Sequence, residues 1–206
     1  QGFVGLALKA GFEKHYEIET YDKYAVDKST CDLADLVAKC KVIFVCVPTP
    51  MKKDGSCDTS IVEKVIKDIN RIAKGKWYNP DSELKTVVIK STIPPTTSKS
   101  FAEEYKNISI IFNPEFLTES NYIKDFENQN RIIIGGDDDE CRIIEKIYKP
   151  LFPKAKIIIT DSTTAEMIKY LTNTFLATKV SFANEIKLLC NEINIDYNLL
   201  IEHSLL

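Results

Sequence analysis

The sequence predicts a doubly wound α/β fold with a parallel sheet, followed by one long helix. Three observations predict it. Short apolar runs alternate with helix-length amphipathic runs through the first 160 of the 206 residues. Most of the short runs are continuously apolar, as strands buried on both faces of a parallel sheet are. From Thr163 to about Asn191 there is neither proline nor glycine, and apolar residues ring much of a helical wheel.

The strand candidates, in order, are Glu17–Tyr21, Val42–Val47, Thr86–Lys90, Ser109–Phe112, Arg131–Gly135 and Lys156–Ile159. Helices are expected at about 32–39, 58–73, 97–106, 119–125 and 137–149. Asp58 opens the second of these as a capping aspartate, and Val62, Val65, Ile66 and Ile69 follow at helical spacing. The run Asp137-Asp-Asp-Glu140 puts acids at the positive end of a helix dipole, a cap rather than a metal site. The division expected is residues 1–160 as one α/β domain and 161–206 as the start of a helical dimerisation region.

Composition narrows the function classes. Hydrophobic residues at 44%, charged residues at 28% and a net charge of -3 describe an ordinary globular chain, with no basic excess to draw nucleic acid or a membrane surface. No apolar run is long enough to span a bilayer. The six cysteines form no C-x-x-C pair and only two histidines accompany them, so no zinc site is expected. They read as reduced thiols of a cytosolic protein, Cys46 as a small core residue. His15 and His203 read as surface residues, and Trp77 as a packing cap in a loop.

The chain opens Gln1-Gly2-Phe3-Val4-Gly5, the end of a G-x-G-x-x-G phosphate loop. Gly2 is the position where backbone approaches a pyrophosphate, Gly5 the one where helix packs on strand, and the helix N-terminus offers N–H groups to the phosphates. The first glycine and the strand before it are not in the sequence, so a gap beside the sheet is expected. Asp22, after the Glu17–Tyr21 run, stands where an acid accepts from the ribose hydroxyls and repels a 2′-phosphate, favouring NAD over NADP. The alternative is a solvated strand-end aspartate.

Four further segments converge: Val47-Pro-Thr49-Pro50, Lys90-Ser-Thr92-Ile-Pro-Pro95, Asn113-Pro-Glu115-Phe116-Leu117-Thr-Glu119, and Lys169 with Asn173 on the long helix. The first three follow strands, where open α/β sheets bind ligands. Together they resemble the UDP-glucose/GDP-mannose dehydrogenase family over most of the chain. That resemblance implies a Rossmann-like domain and a two-step, NAD-dependent oxidation of a nucleotide sugar C6 alcohol to the carboxylate. UDP-glucose is the expected substrate, GDP-mannose the alternative.

By the same resemblance Gly2, Phe3, Val4, Gly5, Asp22, Val47, Thr49, Thr92 and Glu119 would contact NAD. Thr92 would hold a water, and Glu115 would act as general base in thioester hydrolysis. Phe116 and Leu117 would line the sugar site. Lys169 and Asn173, one turn apart, would stabilise charge on the reacting oxygen. The plainer alternative pairs Lys169 with Glu166 at the surface.

Three departures from the family stand out. No cysteine sits in the glycine-rich setting of the family's nucleophile. The stretch from Asp22 to Val47 is short, with Asp27 where relatives carry a basic residue. Thr96 and Thr118 replace residues common in relatives and read as neutral variation. Two competing functions are a β-hydroxyacid dehydrogenase of the 6-phosphogluconate type, and a module that binds NAD and dimerises without catalysis.

Overall fold

A computed structural model describes residues 2–75 and 84–204. Trp77 lies outside them. Two compact units divide the chain, Gln1–Lys169 and Tyr170–Leu206.

In the first unit five strands form one sheet in sequence order: β1 (Val42–Val45), β2 (Lys85–Ile89), β3 (Ile108–Phe112), β4 (Arg131–Gly135) and β5 (Lys156–Thr160). Most neighbours run parallel, but β4 meets β3 antiparallel through Phe112 and Gly135, so the Rossmann-like sheet is mixed. The helices are α1 (Phe3–Phe12), α2 (Leu33–Lys39), α3 (Ser60–Ala73), α4 (Thr97–Glu104), α5 (Tyr122–Glu127) and α6 (Asp138–Tyr148). The two-residue alternation of strand side chains sorts them into two layers. Val87 and Ile89 of β2 pack with Val62 and Ile66 of α3, Leu36 and Val37 of α2, and Phe101 of α4. Val88, between them in sequence, faces the other way with Leu8 and Phe12 of α1, Phe126 of α5 and Ile144 of α6. Each fully buried side chain of this kind contributes roughly 1.5–3 kcal/mol.

Several helix starts are as the sequence marks them. Asp32 and Asp137 cap α2 and α6 by accepting from Asp35 and Asp139. Asp58 accepts from the Ser60 N–H, one residue before the Thr59 cap of α3.

The expected strand Glu17–Tyr21 is not formed. The segment is extended, but its hydrogen bonds go to the loop that folds back over it. Thr20 N–H donates to Thr30 Oγ1 at 2.8 Å, Thr30 N–H to the Thr20 carbonyl at 2.9 Å, and Asp22 N–H to Ser29 Oγ at 2.8 Å. A strand needs a ladder partner, and this segment has none among the described residues. The inner edge of β1 likewise opens, through half-buried Val42 and Phe44, onto a cleft shared with α1.

A long helix, α7 (Ser162–Glu192), begins right after β5. Gly135 makes that start possible. A β-carbon there would sit 2.4 Å from that of Ala165 and 3.0 Å from the Ser162 Cα, so only glycine lets the helix lie so close to β4. The second unit holds the rest of α7 and α8 (Tyr197–Ser204). Leu171, Phe175, Leu176, Val180 and Phe182 are all more than half exposed. No described helix is long and apolar enough to cross a membrane.

Candidate functional site

A cleft of about 2180 Å³ in the first unit runs the length of β1 beside α1 and reaches the loops after β1, β2 and β3. Its wall includes Gly2, Phe3, Val4, Gly5, Asp22, Val47, Thr49, Thr92 and Glu115, all singled out in the sequence. Phe116, Leu117 and Glu119 are not on the wall; Glu119 is exposed. Asn173 belongs to the second unit.

At one end lies the start of α1. Gly2 is its N-terminal cap, with extended backbone, and a β-carbon added there would meet nothing within 4 Å. The first-turn N–H groups of a helix have no partners within it, so this open ground suits an anion. Asp22 lines the cleft with part of its carboxylate committed. Oδ1 accepts the N–H groups of Tyr24 at 2.8 Å and Ala25 at 2.9 Å, closing an Asx turn. Asp27 is exposed in a 3-10 turn, Val26–Lys28, off the cleft wall.

The loops after β1 and β2 are fastened to each other. Ser91 Oγ accepts from Val47 N–H at 3.0 Å and donates to the Val47 carbonyl at 2.7 Å. That bond fixes the approach to Thr49 and Thr92.

The loop after β3 carries the charged centre. Lys169 Nζ donates to the Glu115 carbonyl at 2.6 Å and pairs with Glu115 Oε1 at 3.0 Å. The two side chains are 5% and 14% exposed. Glu115 Oε2 accepts from Leu117 N–H at 2.6 Å, so the carboxylate orders its own loop. Two cations approach the Phe116 ring, the Arg131 guanidinium 4.8 Å and the Lys169 ammonium 5.3 Å from its centroid.

The surface pair Lys169–Glu166 does not form. Glu166 is fully buried and faces α4, accepting from Thr96 N–H at 2.6 Å and Ser98 N–H at 2.8 Å. Burial raises its carboxyl pKa, against the two N–H bonds that lower it. One helical turn thus sends Glu166 to the loop after β2 and Lys169 to the loop after β3. Nor is Thr96 neutral variation. It holds φ at 79°, a left-handed conformation that glycine takes freely and a β-branched residue resists. Thr118 has a local job too, donating through N–H and Oγ1 to Asp125 Oδ2 at 2.8 and 2.6 Å.

Three residues at the site escaped functional assignment in the sequence: Lys90, Asn113 and Tyr148. They form a buried network in which Asn113 Oδ1 accepts from both Lys90 and Tyr148. The usable signal was a lysine closing an apolar strand. Of the cysteines, Cys40 and Cys46 line the cleft, and burial raises both thiols, Cys46 to about 12. Thiols so held are poor nucleophiles. The described residues contain no His/Cys/Asp/Glu cluster that could hold a metal.

Residues 2–152 match the profile of the NAD binding domain of the UDP-glucose/GDP-mannose dehydrogenase family, and residues 163–204 match that family's central domain. The chain belongs to this family. A UDP-glucose 6-dehydrogenase of Rickettsia bellii is 40% identical over 162 residues, 76% of this chain and 36% of that protein. UDP-glucose 6-dehydrogenase TuaD of Bacillus subtilis is 33% identical over 92% of this chain and 42% of its own length. A ternary complex of GDP-mannose dehydrogenase from Pseudomonas aeruginosa has the same fold, with a TM-score of 0.82 at 29% identity over 98% of this chain and 54% of that one. The chain spans well under half the length of the two named sequence relatives. As in the family, the first unit carries an NAD-binding domain. The α1 N-terminus at Gly2 and the acid Asp22, both on the cleft wall, fit a dinucleotide.

Proposed function

We propose that this chain is the part of a nucleotide-sugar dehydrogenase that holds NAD and the charged groups around the reacting sugar carbon. The reaction would oxidise a C6 alcohol to an aldehyde and then to a carboxylate, with UDP-glucose the favoured substrate and GDP-mannose the alternative. The buried Lys169–Glu115 pair, beside a cleft that also carries Gly2, Asp22 and Thr92, is the observation that supports this reading most. UDP-glucose is favoured because several relatives similar over most of the chain bear that name.

Two NAD molecules, bound in turn, would each accept one hydride, one for each of the two oxidations. The chain's own residues would bind the cofactor and orient the reacting groups. Gly2, Phe3, Val4 and Gly5 take the diphosphate on the α1 N-terminus, and Asp22 takes the adenosine ribose. Val47, Thr49, Thr92 and Glu119 lie along the remainder of the cofactor, Thr92 also holding a water. Lys169 donates to the oxygen that gains charge as the alcohol is oxidised, and Asn173, one turn on, is the second donor. The aldehyde, held as a cysteine adduct, would be oxidised to a thioester, and Glu115 would accept the proton of the water that hydrolyses it, which a carboxylate can do as general base. Phe116 and Leu117 shape the sugar pocket. None of the described cysteines is proposed as the nucleophile. We further propose a domain boundary at about residue 160 and a cytoplasmic location.

The apolar side chains of the second unit are proposed to pack in a homodimer. Sedimentation of the chain at micromolar concentration should give a dimer; a monomer throughout would end that proposal. For the cofactor, titration calorimetry should show saturable binding of NAD and at least tenfold weaker binding of NADP. Equal affinity for the two would overturn the role of Asp22. No binding of either would overturn the reading of the cleft.

A further inference from the structure

A buried lysine that the proposed reaction leaves unused lies in the wall of the cleft. Lys90 follows β2, borders the cleft beside Thr92 and Glu115, and is 4% exposed. Lysine is almost never so buried unless it is paired with an acid. Here both hydrogen bonds that it donates go to uncharged oxygens, Asn113 Oδ1 at 2.9 Å and the Pro114 carbonyl at 3.4 Å. Its ammonium is also 6.0 Å from the centroid of the Tyr148 ring.

The acceptor is fixed. Asn113 donates its N–H to the Ile89 carbonyl at 2.9 Å and its Nδ2 to the Ile133 carbonyl at 2.6 Å, leaving Oδ1 for Lys90 and for Tyr148 Oη at 2.7 Å. Two ammonium groups therefore hold successive carbonyls of one loop, Lys90 on Pro114 and Lys169 on Glu115. Packing alone would be met by methionine or leucine at lower cost, because a desolvated ammonium without a carboxylate is expensive. The charge is repaid if something in the cleft gains from it, and a ligand with an anionic diphosphate does.

We propose that Lys90 is a positioning residue for an anionic dinucleotide: while protonated it holds the Pro114 carbonyl, next to the Glu115 carbonyl held by Lys169, and gives the cleft wall a positive potential, and on losing its proton it weakens both. The inference rests on the reading of the cleft as the NAD site.

Burial pushes the Lys90 ammonium down to about 8. The ionisable groups facing it are Cys46 beyond β1, Glu115 beyond β3, Tyr148 on α6 and Lys169 on α7. Cys46 is pushed up to about 12 and the Tyr148 hydroxyl is raised as well, so neither titrates beside Lys90. NAD affinity should therefore fall as pH rises through about 8. Folding stability should move the other way. A lysine depressed in the fold leaves the unfolded chain holding more protons between about 8 and 10.4, and stability from this group rises across that window. Opposite slopes distinguish this role from general loosening at high pH.

The test is calorimetric NAD titration between about pH 6.5 and 9.5 on the chain and on Lys90→Met and Asn113→Asp, with the Lys90 Cε resonance followed by ¹³C NMR without ligand. The wild-type affinity should drop roughly three- to tenfold around the Lys90 midpoint. Lys90→Met should bind at the weaker level with that step gone. Asn113→Asp places a carboxylate beside the ammonium and should move the step upward by about one pH unit or more. A step that survives in Lys90→Met, or fails to move in Asn113→Asp, would overturn the proposal, as would wild-type binding that is level with pH while the resonance titrates. Absence of NAD binding at every pH would overturn the reading of the cleft and this proposal with it.

Discussion

Around Thr92 and Glu115 the cleft is walled by loops that are bonded across elements, Lys169 holding Glu115, whereas between Glu17 and Thr30 it is walled by a loop bonded largely to itself, with Glu19 reaching Lys39 of α2. On the strand-end side, α7 reaches the loops after β2 and β3 through Glu166 and Lys169. On the loop side, Thr20, Ser29 and Thr30 bond to one another and to their near neighbours, Asp22 closes its own Asx turn, and Tyr24 and Val26 stand in solvent. Both sides line one cleft, yet they carry different risks. A change on the strand-end side disturbs the fold together with any chemistry. A change on the loop side reaches a ligand with little effect on folding.

The largest effect that would sharpen this contrast is at Lys169. Lys169→Ala removes one partner of a buried pair and leaves the Glu115 carboxylate without its cation. Breaking such a pair costs about 3–5 kcal/mol. Urea unfolding should show that loss. The double variant with Glu115→Gln should recover part of it, because the stranded charge is gone. A loss no larger than that of an exposed pair, ~0.5 kcal/mol, would break the contrast.

How much of this was legible follows the same division. Strands with continuous apolar runs could be read because burial on both faces selects Ile and Val, and β2 to β5 lie within a residue of where the runs put them. The Glu17–Tyr21 run misled because strand propensity says nothing about whether a ladder partner exists. The antiparallel β3–β4 pairing was invisible for the same reason. Lys169 and Glu115 were found by motif, but their contact joins positions 54 apart in sequence and no local pattern encodes it. Glu166 was read as a surface partner for Lys169, the natural guess for two charges on adjacent turns. It turns to α4, where the unpartnered N–H groups of a helix start offer a carboxylate two donors.

Thr96 offers a middle-sized test on the strand-end side. Its left-handed backbone costs on the order of 1–3 kcal/mol for a residue other than glycine. Thr96→Gly relieves it, less the 0.5–1 kcal/mol or so of extra chain entropy that glycine loses on folding. The N–H to Glu166 is kept, so a net gain of about 1 kcal/mol in denaturant unfolding is expected. A loss would mean that the Thr96 side chain contributes more than its backbone costs.

The smallest effect on the fold, and the most informative about the ligand, is expected at Asp22. Asp22→Asn keeps an Oδ1 that can accept from Tyr24 and Ala25, so the Asx turn survives and stability should stay within about 0.5 kcal/mol of wild type. What disappears is the negative charge on the cleft wall. A neutral amide accepts more weakly from ribose hydroxyls and no longer repels a 2′-phosphate, so NAD should bind severalfold more weakly while NADP gains. Asp22→Ala, by contrast, removes the turn as well and mixes two causes. If Asp22→Asn leaves the ratio of NAD to NADP affinity unchanged, then Asp22 serves only its own loop, and the loop side of the cleft does not read the ribose. If the ratio shifts and stability holds, one carboxylate both closes the turn and selects the cofactor, and the loop side affects binding without affecting the fold.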